Sequence, residues 1–149
     1  CLFTLAATDL VVDVNGWFPA GSSYRALSPA RVLESRTDVG LTTVDGKALG
    51  IGVRPAGSVT ELQVAGRAGV PSDASAVVLN VAVTGAQAPG FVTVFPCGSK
   101  RPTAASLNYT AGQTVPNAVI AKVGEDGKVC LFTLAATDLV VDVNGWFRG

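Results

Sequence analysis

Apolar and polar residues alternate with a period of two in several stretches of this chain. Leu10, Val12 and Val14 alternate with Val11, Asp13 and Asn15. That pattern marks a strand with two unlike faces. The preceding run Cys1 to Leu5 is also β-prone, and Ala6 to Asp9 separates the two with small and polar residues. Residues 1–18 therefore read as a β-hairpin, with Asn15-Gly16 ending or bulging its second strand and Trp17-Phe18 as an apolar anchor. Residues 130–147 repeat this stretch letter for letter. A lone hairpin is marginal in water, so each copy needs a sheet to join. Left exposed, Leu2, Phe3, Leu5, Leu10, Val12, Val14, Trp17 and Phe18 form a sticky edge.

Between the copies, residues 19–30 are rich in Pro, Gly and Ser and read as a linker. Residues 31–36 form a short charged strand, and residues 37–57 read as a loop. Thr60, Leu62 and Val64 define a strand with one wet face. Residues 76–84 are the most apolar strand, which predicts a central position. Phe91 to Phe95 return as its partner after the Gly85 to Gly90 turn. Ala105, Leu107 and Tyr109 form another strand. Residues 115–123 form the next, with Pro116 predicting an edge or bulge at its start. Glu125-Asp126-Gly127 is a hairpin signal leading into the second copy. No segment has helical periodicity. The expected fold is an all-β, jelly-roll-like or Greek-key sandwich of about eight strands plus an extra N-terminal hairpin. The expected units are 1–18, a linker at 19–30 and a sandwich at 31–149.

Composition narrows the function classes. Only 15% of residues are charged and the formal net charge is zero, which excludes the basic stripe that nucleic-acid binding requires. No apolar run reaches the ~20 residues of a membrane-spanning helix. The abrupt apolar start reads as a cut from a longer precursor, and the low charge favours assembly over a free monomer. Three cysteines occur without histidine. Cys97 and Cys130 are the plausible disulfide, closing a loop of about 33 residues that contributes roughly 3–4 kcal/mol and placing the chain outside the cell. Cys1 is left over, which points to pairing beyond its own domain; Cys1 and Cys130 remain alternative partners for Cys97. Three buried free thiols are the plainer alternative.

Several motifs together resemble a family of β-repeat domains in secreted and cell-surface proteins of actinobacteria. They are Arg31 to Arg36, Leu62 to Gly66, Gly69 to Pro71, Ala76 to Val81, Phe91 to Gly98, Ser106 to Asn108, Ala111 to Asn117 and Val140 to Phe147. The resemblance implies an extracellular β-module, in tandem or appended to secreted hydrolases, and supplies no catalytic residue. Where the family has Asp-Thr this chain has Glu34-Ser35, so no role is carried over for that Asp.

No side-chain set supports an enzyme. A serine triad lacks its histidine, and Asp13/Asn15 or Asp142/Asn144 give too few oxygens for calcium. No metal or cofactor is expected. Arg36 is expected to be held by Asp142 or Glu34 as a structural ion pair. Trp17, Trp146, Tyr24 and Tyr109 are candidates for stacking on surface glycans, the basis of an alternative reading as a carbohydrate-binding or adhesive module. The leading expectation is a secreted structural module whose partner is itself. It assembles head-to-tail, by tandem repetition or by donating residues 1–18 to a neighbour, with Cys1 bonded to that neighbour's Cys97.

Overall fold

The computed structural model describes residues 1–38 and 40–149; position 39, inside the expected 37–57 loop, lies outside the described residues. The strands are β1 (Tyr24–Glu34), β2 (Val59–Gln63), β3 (Ala74–Thr84), β4 (Gly90–Pro96), β5 (Leu107–Tyr109), β6 (Val115–Lys122), β7 (Lys128–Thr133) and β8 (Asp138–Arg148). They form two four-stranded antiparallel sheets in the orders β1-β8-β3-β6 and β2-β7-β4-β5. Strand one pairs with eight, two with seven, three with six and four with five. The chain is thus one long antiparallel hairpin folded over into two sheets. This is a jelly roll, the expected all-β sandwich of eight strands.

Alternation builds the core. In β3, Val77, Leu79, Val81 and Val83 are fully buried, as are Leu139, Val141 and Val143 of β8. They face Leu62, Val92, Val129 and Leu131 of the second sheet in a single cluster. β3 lies between β8 and β6, as its apolar run predicts, and Pro116 lies on the edge strand β6 opposite Ala82.

Four local expectations need correction. Phe91 to Phe95 do not partner residues 76–84: β3 and β4 lie in different sheets, β3 pairing with β6 and β8 and β4 with β5 and β7. The first strand begins at Tyr24, inside the stretch expected as a linker. It is an edge strand whose register shifts between Ala26 and Ala30. A bulged edge tolerates Pro29, which lacks an N–H, and it erases the alternation that would have marked the strand. Glu125–Gly127 does turn the chain, with Asp126 at φ 54° and Gly127 at φ 73°. It joins β6 of one sheet to β7 of the other, so it is no hairpin. The repeated stretch is not a hairpin either. In the second copy β7 and β8 lie in opposite sheets, and residues 134–137 bridge them. The first copy, residues 1–18, forms no strand and is exposed throughout.

Leu79→Ala should lower the urea-unfolding free energy by about 2–5 kcal/mol, the range for a truncated buried leucine. Leu10→Ala, on the exposed copy, should shift it by less than about 0.5 kcal/mol. Equal shifts would contradict the burial described.

Candidate functional site

The closing strands hold a special place. β8 is hydrogen-bonded on both sides, to β1 and β3, and β7 likewise to β2 and β4. Residues 128–148, which contain the second copy, therefore supply a central strand to each sheet. Arg31 and Asn80 flank Asp142, and Leu62 and Pro96 flank Val129. The disulfide joins Cys97 to Cys130, with Cα atoms 5.0 Å apart, and ties the start of the closing segment to the end of β4. Together with Phe91, Phe95 and Phe132 it forms a small cluster separate from the main core. The Arg101 guanidinium covers the Phe132 ring at 4.0 Å, a favourable cation–π position.

The first copy has the same residues with none of this burial. Leu10, Val12 and Val14 are 57%, 68% and 87% exposed, whereas their counterparts Leu139, Val141 and Val143 are at 0%. Leu2, Phe3, Leu5, Trp17 and Phe18 are exposed as well. Cys1 is a free, exposed thiol. The sequence expectation of a sticky surface is met in its residues, and its pairing to a sheet is not. Phe18 rests on the domain through two ring contacts. The Phe18 ring lies 4.4 Å from that of Tyr24 and 5.9 Å from that of Phe147. Tyr24 in turn covers Gly145, where an added Cβ would come within 2.5 Å of the ring.

At the far end of β1, charge is gathered around one carboxylate. Glu34 is fully buried. Its oxygens accept from Arg36 Nε at 2.7 Å, Arg36 Nη2 at 2.8 Å and Arg31 Nη1 at 2.9 Å. Arg31 Nε also donates to Asp142 at 2.9 Å. Of the two partners expected for Arg36, Glu34 holds it, and Asp142 serves Arg31. The Arg36 hydrogen bond is the main cause that holds the Glu34 pKa below its ordinary value, against the opposing effect of burial. Next to it, Ser35 Oγ donates to Asp138 at 2.6 Å and accepts from the Leu139 N–H at 2.9 Å. This polar knot fixes where β8 enters its sheet. A cleft of about 170 Å³ lies beside Arg36, Asp38 and Asp138.

Two polar features escaped sequence reading. Arg67 is only 5% exposed and grips Asp45 with Nε at 2.8 Å and Nη2 at 2.7 Å. That bidentate pair pulls the Asp45 carboxyl down to about 2. The residues lie in different loops, and no spacing rule connects them. Tyr109 is buried, its hydroxyl 2.7 Å from Thr133 Oγ1 and accepting from the Ala135 N–H at 3.1 Å. It braces the bridge between β7 and β8. The four candidate glycan-stacking rings are not brought together. Tyr109 is inside, Trp146 packs on the core, Tyr24 covers Gly145 and Trp17 stands in solvent. Among the described residues, no three metal-ligating side chains gather, and no helix is long and apolar enough to cross a membrane.

No protein-family model matches the chain, and no curated protein matches it.

Acid stability follows from the carboxylates. A pKa depressed in the folded state adds stability above the unfolded value and loses it as pH falls through the folded one. The Asp45 contribution should therefore be complete above pH 3.8 and vanish as pH falls through about 2. That of Glu34 should decline below its ordinary 4.5. Asp45→Asn should flatten the acid limb of a urea-midpoint profile measured from pH 7 to pH 2; a profile parallel to wild type would refute the pairing. Glu34→Gln removes the anion that Arg31 and Arg36 share and should cost about 1–3 kcal/mol at pH 7, measured by urea unfolding.

Proposed function

We propose that this chain is an extracellular structural module of a tandem array, in which residues 1–18 are the closing strands of a preceding domain of the same kind. One observation carries the reading: the inward-facing residues of this stretch are buried in two central strands at 130–147, and the same residues are bare at 1–18. An apolar β-segment of this size is costly to leave in water.

Counting copies chooses between the two modes of head-to-tail assembly. Each chain brings two closing segments and one sandwich to close. Strand exchange among identical chains thus always leaves one segment bare per chain. An acceptor with strands one to six and no closing pair leaves none. The resemblance to tandem β-repeat domains supports such an acceptor. The counterpart of Cys130 is Cys1, so in that arrangement Cys1 bonds the acceptor's equivalent of Cys97. The Cys97–Cys130 bond supports an oxidising, extracellular setting. In this reading the module is a spacer or fibre element whose partner is its own kind.

The test is to fuse a second copy of residues 19–129 upstream of Cys1. The expected product shows amide-exchange protection across residues 1–18, no thiol reactive toward a maleimide, and a larger calorimetric unfolding enthalpy than the single chain. A Cys1 that stays reactive, with residues 1–18 exchanging freely, would reject the tandem reading.

A further inference from the structure

We infer that residues 1–18 are a second occupant for this domain's own closing slot, able to replace residues 130–147 within the same chain. The inference needs no neighbouring domain, so it stands apart from the tandem reading.

The topology permits the replacement. Tyr24, the first residue of β1, pairs with Phe147 near the end of β8. Phe18 is the counterpart of Phe147. With the first copy in the slot, its long strand would run antiparallel beside β1, and residues 19–23 would be the connecting loop. Five residues suit such a hairpin. The turn is already formed: the Ser22 N–H donates to the Pro19 carbonyl at 3.1 Å, and Gly21 has φ 83°, the sign that glycine adopts freely. Phe18 already rests against Tyr24 and Phe147. The domain would then be closed as a circular permutant of itself.

Packing permits it too, because the two copies are identical through all eighteen positions. Leu10, Val12 and Val14 would enter the places of Leu139, Val141 and Val143. Asp13 would meet Arg31 as Asp142 does, and Gly16 would leave room for Tyr24 as Gly145 does. Cys1 would arrive where Cys130 stands, beside Cys97. The redox step balances without an outside oxidant. The Cys1 thiolate attacks Cys97 Sγ, the Cys97–Cys130 bond breaks, and Cys130 departs as the thiolate and takes up a proton.

One difference favours the second copy, in agreement with its occupancy in this structure. Pro19 stands where Arg148 donates its N–H to the Ser23 carbonyl, and proline has no N–H. The first copy is therefore the minor occupant, and weakening the second should bring it in.

The experiment uses the full chain in two variants. Leu139→Asp places a charge in the core of the second copy alone. After refolding, it should remain folded, gain exchange protection at residues 11–14 and lose it at residues 140–143. Leu10→Asp/Leu139→Asp should abolish folding, and Leu10→Asp alone should match wild type. Cys130→Ser, refolded in a buffer containing oxidised glutathione as the two-electron acceptor, should give a monomer with a Cys1–Cys97 disulfide, read by peptide mapping under non-reducing conditions. Leu139→Asp that unfolds as fully as the double variant, or a Cys130→Ser monomer with Cys1 and Cys97 both free or linked only between chains, would overturn the inference.

Discussion

The whole structure depends on inserting the last two strands. Each sheet is interrupted until they arrive: β1 has no hydrogen-bonded contact with β3, nor β2 with β4, except through β8 and β7. The final segment thus completes two backbone ladders and covers both halves of the core at once. Because the first strand pairs with the last, the decisive contacts are also among the most distant in sequence. Folds of that kind must meet their loop-closure entropy before the contacts offset it.

Much of the remaining structure serves that insertion. The disulfide anchors the beginning of β7 to β4. Tyr109 braces the bridge from β7 to β8 with its buried hydroxyl. Ser35 and Asp138 fix the entry of β8, and the Glu34–Arg31–Asp142 chain of charges ties its middle to the edge strand β1. Buried ions are an expensive way to gain stability compared with apolar packing. They are demanding in geometry, however, and here they single out one register of β8 against β1.

The bare first copy is explained by the same constraint. Its sequence is competent for two sheets at once and for nothing simpler. It does not fold as a local hairpin, because its two strands belong on opposite sides of a core. Without a six-stranded acceptor there is nowhere for both to go. A perfect duplicate then acts as a donor without a vacancy, and its fate is decided by which incomplete sandwich lies within reach. A preceding domain and the chain's own slot, once its occupant is weakened, are the two acceptors proposed above.

The sequence alone determined what depends on short-range pattern. The period of two in Val77 to Val83 and in Leu139 to Val143 marked strands and their inner faces, and the cysteines offered Cys97–Cys130 as the leading pair, which the structure chose over Cys1. Pro116 marked an edge because a missing N–H has the same consequence in any sheet. Pattern does not encode partners. Periodicity could not separate a hairpin from two strands in facing sheets, so both copies of the repeat read as hairpins. The start of β1 was hidden by a bulged edge, and Arg67 met Asp45 across loops with no local signal. Tertiary structure alone decided which of two identical segments is buried, because that depends on where each joins the six other strands and on no property of its own residues.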